Sequence, residues 1–134
     1  MTAETMEIKR TVDVIIPVYK PDAVFETLLE RLGKQSYPIR RIIIMNTEQS
    51  FWKNDAYEAV PNLEVHHVKK SEFDHGGTRN KGASFSEADI MVFMTDDAVP
   101  ADRELIGELV KGLEFKRAGW GTGGGGLCET AAKQ

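Results

Sequence analysis

The chain has 134 residues, 41% hydrophobic and 28% charged, and its 17 basic and 21 acidic side chains leave a net charge of −4. That composition excludes a disordered chain, the length suits one domain or part of one, and the acidic balance offers no broad field for nucleic acid. No apolar run of about 18 residues is present for a membrane helix, Met1 to Arg10 do not form a signal peptide, and the lone Cys128 points to a reducing, cytoplasmic setting.

Val12 to Val18 is a β-branched run closed around Pro17, the pattern of a buried strand. Asp22 then predicts a helix cap, with Phe25, Leu28, Leu29 and Leu32 spaced along one face and Gly33 at the stop. Arg41 to Met45 reads as a second strand, apolar on both faces, and Leu63 to Val68 as a third, alternating and nearer an edge. A weaker helix is expected from Thr78 to Ala88, and a fourth strand, with no polar face, from Ile90 to Met94. Pro100 and Asp102 open a last helix that turns Leu105, Ile106, Leu109, Val110 and Leu113 inward. Strands alternating with helices predict an α/β fold, a mostly parallel sheet covered on both faces. Residues 1–11 read as an extension, 12–115 as the folded unit, and 116–134 as an irregular tail in which Gly119 to Gly126 hold six of the 12 glycines.

Ligands of open parallel sheets bind beyond the carboxyl ends of the strands, so the polar residues there are the candidates. After the fourth strand come Asp96 and Asp97. Two adjacent carboxylates beyond an apolar strand suit a hard cation, Mg²⁺ or Mn²⁺, that bridges to phosphate; they equally suit a turn that caps the next helix. After the third strand come Asp74, His75, Gly76, Gly77, Thr78, Arg79 and Asn80. Here two glycines before a helix start allow close backbone approach, and Arg79 offers a planar fork for phosphate, against the reading of a plain turn with a solvated Arg. The run is neither a P-loop nor a dinucleotide fingerprint. His66 and His67 are neighbours on a strand, so they face opposite ways and make no metal site; His75 reads either as a hydrogen-bond donor in the glycine loop or as an ordinary loop histidine. Phe51 and Trp52 are assigned packing only.

In this order, Val14 to Tyr19, the Ile-rich second strand, Gly77 to Ala83 and Met94 to Pro100 resemble the N-terminal half of a family 2 glycosyltransferase with a GT-A fold, most similar to rhamnosyltransferase-like members. The resemblance implies a nucleoside-diphosphate-sugar donor. It places Pro17, Val18 and Tyr19 along the base pocket and Arg79 and Asn80 at the border of the nucleotide. Aligned on Pro100, Asp97 takes the metal-ligating position of the family's DxD element, with Asp96 beside it towards ribose or phosphate. The sequence departs from the family at two of these positions. Asn46 stands where an Asp usually meets the base, with Glu48 as a substitute, and Thr95 stands where many members carry the first Asp of DxD. The resemblance further implies transfer of a sugar, rhamnose first among candidates, to a glycan or lipid-linked acceptor in the full-length protein. The catalytic base is expected beyond this chain, so the 134 residues alone are expected to bind donor without transferring it.

Two other readings compete. A non-catalytic nucleotide-binding or interaction module would use the acidic loop structurally. A receiver domain would carry its acidic pair after the first strand, where this chain has Pro17, Val18 and Tyr19. The tail adds its own expectation. Shifted by one base, the codons for Leu127 to Gln134 permit a Tyr-Ala-Arg-Gln-Leu-Pro segment that resembles rhamnosyltransferase-like members after this helix. An out-of-frame tail of this kind would leave an open sheet edge, a reading that the coding DNA decides.

Overall fold

A computed structural model of the chain describes residues 10–52, 57, 60, 62–72, 74–117 and 128–132. Five strands form one sheet: β1 (Val12–Tyr19), β2 (Arg41–Thr47), β3 (Leu63–Val68), β4 (Ile90–Met94) and β5 (Cys128–Ala132), in the order β3-β2-β1-β4-β5. The first four are parallel, and β5 pairs antiparallel with β4. Helix α1 (Ala23–Leu32) connects β1 to β2, α2 (His75–Ser84) connects β3 to β4 and α3 (Leu105–Arg117) leads from β4 to β5, with single 3₁₀ turns at Gln49–Phe51 and Lys70–Glu72.

Alternate side chains of β1 and β2 point to opposite faces and bury on both. Val12, Val14, Ile16, Val18, Ile42 and Ile44 join one core with Phe25, Leu28, Leu29 and Leu32 of α1 and Ile106, Val110 and Leu113 of α3. Ile15, Ile43 and Met45 form the other core with Val68, Met91 and the partly buried Ala83, Phe85 and Phe93. On that face Gly82 lets α2 come close. A Cβ there would lie 2.7 Å from Ile15 Cγ2 and 3.1 Å from Met45 Cγ.

The helix ends follow local chemistry. Asp22 Oδ1 accepts from the backbone N–H groups of Val24 (3.1 Å) and Phe25 (3.2 Å), which fixes the start of α1. Gly33 does sit at its C-cap, but at φ −66°, so the stop does not use glycine's left-handed freedom. Helix α2 starts earlier than its apolar pattern suggests. Asp74 is the N-cap and accepts from Gly77 N–H at 2.8 Å, so Gly76 and Gly77 belong to the first turn rather than to a loop before it. The helix also ends at Ser84, short of Ala88, because Ser86 is drawn into a buried network. In that network the fully buried Asp13 Oδ2 accepts from Arg40 Nη2 at 2.8 Å and Ser86 Oγ at 2.7 Å, and Ser86 Oγ accepts from Ala88 N–H. Pro100 and Asp102 precede α3 by a turn rather than opening it; Asp102 Oδ1 accepts from Glu104 N–H.

The largest correction concerns the segment expected to be an irregular tail. The fold continues past 115: α3 runs to Arg117, and Cys128–Ala132 covers the β4 edge, pairing Met94 with Cys128 and Ile90 with Ala132. Backbone pairing at an edge asks for extended main chain and places little demand on side chains, so hydrophobic periodicity gave no sign of it. Gly119 to Leu127 lie outside the described residues.

Candidate functional site

The strand order reverses at β1, whose neighbours β2 and β4 both follow it in the chain and lie on either side of it in the sheet. A crevice at such a switch point opens beyond the carboxyl ends of the strands. Tyr19 ends β1 there, Asn46 and Thr47 end β2, His67 and Val68 end β3, and Thr95 to Asp97 follow β4. Register puts these ends on one rim: Val18 is level with Asn46, Tyr19 with Thr47, and Asn46 with His67.

The acidic pair is split between two environments. Asp96 is partly buried and accepts a hydrogen bond from the backbone N–H of Tyr19, which ties the β4 loop to the end of β1. Burial, and then the negative charges of Asp97 and Asp22, hold its carboxyl above the usual aspartate range despite that bond. Asp97 is exposed, and its Oδ1 accepts from Thr95 Oγ1 at 2.9 Å. Neither carboxylate caps α3. Among the described residues no group of three or more His, Cys, Asp or Glu side chains is gathered for a metal. The pair nevertheless fits Mg²⁺ or Mn²⁺, which take one or two protein carboxylates and complete their shell with water and phosphate oxygens.

Because the folded state holds the Asp96 proton more tightly than the unfolded chain, stability falls as pH rises from the ordinary aspartate value to the raised one. Above that window the cost is constant. Asp96→Asn is therefore expected to raise the unfolding midpoint at pH 7, with the gain shrinking as the pH approaches the ordinary aspartate value. Thermal melts of both proteins across pH check this; an equal difference at all pH values would contradict it.

The remaining candidates are distributed unevenly. Val18 is 2% exposed and its side chain belongs to the core, so it offers the rim only backbone, while Pro17 is partly buried. Arg79, on the first half of α2, stacks over the Phe93 ring at 4.5 Å, on the sheet face that α2 covers and level with Ile15 of β1; Asn80 is exposed beside it. Asn46 is fully buried. Its Nδ2 donates to the Glu48 carbonyl at 3.1 Å, which fixes which way the amide faces, and also lies 3.1 Å from His67 Nδ1. Glu48 is largely occupied by structure, since Oε1 accepts from Lys70 N–H at 2.6 Å. That bond argues against Glu48 as a free substitute for the base-binding Asp. The histidines have more to do than strand position implies: His67 meets Asn46, and His66 hydrogen-bonds Glu64 at 2.7 Å and stacks on Phe85 at 3.8 Å. The His75 side chain lies outside the described residues. Trp52 packs against Phe25 and Tyr57, as assigned, whereas Phe51 stays 40% exposed with its ring edge-on to Tyr19. Sequence reasoning missed Lys20, Phe51 and Lys70 at this rim; all three sit one to four residues past a strand end, the only signal available.

These features define a Rossmann-like GT-A fold with its polar residues gathered at the switch point. The chain belongs to glycosyl transferase family 2, whose sequence pattern matches residues 13–122. It is 31% identical over 107 residues to the O-antigen chain rhamnosyltransferase RfbN of Salmonella typhimurium, covering 74% of this chain and 32% of that protein. To the O-antigen chain rhamnosyltransferase WbaN of Salmonella anatum it is 34% identical over 100 residues, covering 72% and 31%. The chain thus spans about a third of the length of these relatives. Among solved structures, S. aureus TarS 1–349 superposes with a TM-score of 0.63 at 21% identity, over 80% of this chain and 33% of that one. The mannosyltransferase PcManGT from Pyrobaculum calidifontis, in complex with GDP-Man and Mn²⁺, superposes with a TM-score of 0.63 at 21% identity, over 78% and 32%. No helix among the described residues is long and apolar enough to cross a membrane.

Proposed function

We propose that this chain is the donor-binding part of a glycosyltransferase that moves a sugar from a nucleoside diphosphate to an acceptor glycan, free or lipid-linked. The observation that carries the reading is the acidic pair at the switch point, bonded through Asp96 to the end of β1. Similarity to two rhamnosyltransferases makes rhamnose the sugar to test first. Asp97 is the carboxylate for a divalent cation, and Asp96 faces ribose or phosphate. A bound cation would neutralise charge on the departing diphosphate. In the transfer, the bond between the sugar's anomeric carbon and the phosphate oxygen breaks, and the acceptor hydroxyl oxygen bonds to that carbon and gives its proton to a base. Tyr19 holds the nucleoside end, with Asn46 buried behind it bracing Glu48 and His67; Arg79 and Asn80 border the phosphates, and the base belongs to the portion of the relatives' length that this chain does not span.

Melting of the chain with UDP, dTDP, GDP and CDP, each with Mn²⁺, tests the reading. At about 100 times its dissociation constant, a cognate nucleotide adds about 2.7 kcal/mol of stability. An upward shift of the midpoint with one or two of the four is expected. No shift with any of them would overturn the assignment.

A further inference from the structure

Between the acidic pair and α3 the chain runs from Ala98 to Glu104 without helix or strand, so its backbone groups need partners from elsewhere. The end of α1 and the residues just past it supply them. Arg31 Nη1 donates to Pro100 O at 2.9 Å, Gln35 Nε2 to Asp102 O at 2.8 Å, and Ser36 N–H to Arg103 O at 2.9 Å. In return Arg103 Nε donates to Lys34 O at 3.1 Å. Gln35 Oε1 also accepts from Ile106 N–H at 2.9 Å, so the first turn of α3 is capped by a side chain 71 positions away. Glu104, just before that helix, accepts from Ser36 Oγ instead.

The bonds fall into two sets by what they hold. Those of Gln35, Ser36 and Arg103 fix residues 102–106, the entry to α3. The Arg31 bond instead reaches Pro100, three positions from Asp97, and the stretch between them is stiff. Val99 N–H donates to Asp97 O at 2.9 Å and Ala98 N–H to Thr95 O at 3.2 Å. Ala98 and Pro100 are buried, and the proline ring fixes its own φ and restricts Val99. On the other side Asp96 accepts from Tyr19 N–H. The loop that carries both carboxylates is therefore tied to β1 through Asp96 and to α1 at Pro100, and Asp97 stands between the two ties with Thr95 Oγ1 on its carboxylate.

We propose that Arg31 is a positioning residue for the cation site: by holding the Pro100 carbonyl, its guanidinium sets where Asp97 presents its carboxylate to a divalent cation. Arg31 itself touches neither cation nor nucleotide. A charged donor bonds a carbonyl more strongly than a neutral one, which suits it to anchor a segment that has no ladder of its own. Without it the loop keeps the Tyr19 tie and its internal turn, but the Pro100 end can shift. A displaced carboxylate then fits poorly into the near-octahedral shell of a small cation. The inference rests on the donor-binding reading above and extends it to a helix which that reading does not use.

Calorimetric titrations of the 134-residue chain with UDP, dTDP, GDP or CDP, whichever the wild type binds most tightly, test it at a series of Mn²⁺ concentrations. The variants are Arg31→Met, Arg31→Lys and Gln35→Ala, and the quantity read is the Mn²⁺ concentration at which nucleotide affinity is half its maximum. Loss of a group that orients a metal ligand weakens metal binding about 10- to 100-fold. Because Arg31 acts through backbone, Arg31→Met is expected at the lower end, with about ten times more Mn²⁺ required. Arg31→Lys keeps a charged donor and is expected to recover most of the loss. Gln35→Ala removes the α3 cap and the Asp102 bond. It is expected to lower the melting midpoint at least as far as Arg31→Met does, yet to leave the Mn²⁺ requirement at the wild-type value. If the wild type needs Mn²⁺ and Arg31→Met needs no more of it, the positioning role is wrong and the donor-binding reading stands. Equal increases in Arg31→Met and Gln35→Ala would reduce Arg31 to a stabiliser of the fold and also overturn the role. Should the wild type bind none of the four nucleotides, or bind them without regard to Mn²⁺, both proposals fall.

Discussion

Asp13→Ala is expected to cost about 2–4 kcal/mol, the largest stability loss of any single polar substitution in this chain. Asp13 is fully buried near the start of β1 and holds Arg40 and Ser86 through one oxygen, joining β1, the entry to β2 and the loop after α2. Removing the carboxylate leaves the Arg40 guanidinium, about two-thirds buried, without its counter-charge. Breaking a fully buried pair costs about 3–5 kcal/mol, and partial exposure of Arg40 discounts that figure. A domain of this size is stable by about 5–15 kcal/mol, so the variant loses a large part of its margin. Urea unfolding should show a lower midpoint with an unchanged slope. Arg40→Met in the Asp13→Ala background should cost much less than in the wild type, because the pair acts as a unit. Asp13 lies six residues from Tyr19, about 20 Å along the strand, so nucleotide affinity of the folded fraction should not change. Additive single and double variants would show that the network is not a unit.

At the opposite end of the same strand the acidic pair predicts a ranking. Asp97→Asn is expected to lower Mn²⁺-dependent nucleotide affinity about a hundredfold, about 2.7 kcal/mol, and Asp96→Asn about tenfold. Asp97 is exposed and held by Thr95, ready to meet a cation, whereas Asp96 is turned towards the Tyr19 backbone and an amide oxygen there could still accept that bond. The same Asp96→Asn change is expected to stabilise the ligand-free protein, so one residue should trade stability for binding and its neighbour should not. The opposite ranking of affinities would mean that the metal ligand is Asp96 and that the register set by Pro100 is off by one.

The two predictions also mark what sequence could and could not reveal. Strands β1, β2 and β4 were legible because Val12 to Val18, Arg41 to Met45 and Ile90 to Met94 are apolar on both faces, which only a covered parallel strand needs. Helix α1 was legible because its cap and its apolar stripe agree. Asp13 was passed over, since a single carboxylate inside an apolar run gives no hint of partners at positions 40 and 86. The start of α2 was misplaced because two glycines read as loop, when the Asp74 cap makes them a first turn. Strand β5 carried no signal because its pairing is between backbones. At the rim, order along the chain was enough to place Tyr19, Asn46 and Asp97 at or just past strand ends. It could not show that Val18 turns inward, that Glu48 is tied to Lys70, or that Phe51 and two lysines meet Tyr19, because those facts depend on backbone conformation at two strand ends.

The central claim is that a nucleoside diphosphate binds at the rim of β1, β2 and β4 through a divalent cation on Asp97. Calorimetric titration of the chain with UDP and with dTDP, once in Mn²⁺ and once in excess chelator, tests it most directly. The account predicts saturable heat for at least one nucleotide in Mn²⁺ and a loss of most of that affinity in chelator. Negligible heat under both conditions for these two and likewise for GDP and CDP, or equal affinity with and without the metal, would contradict it.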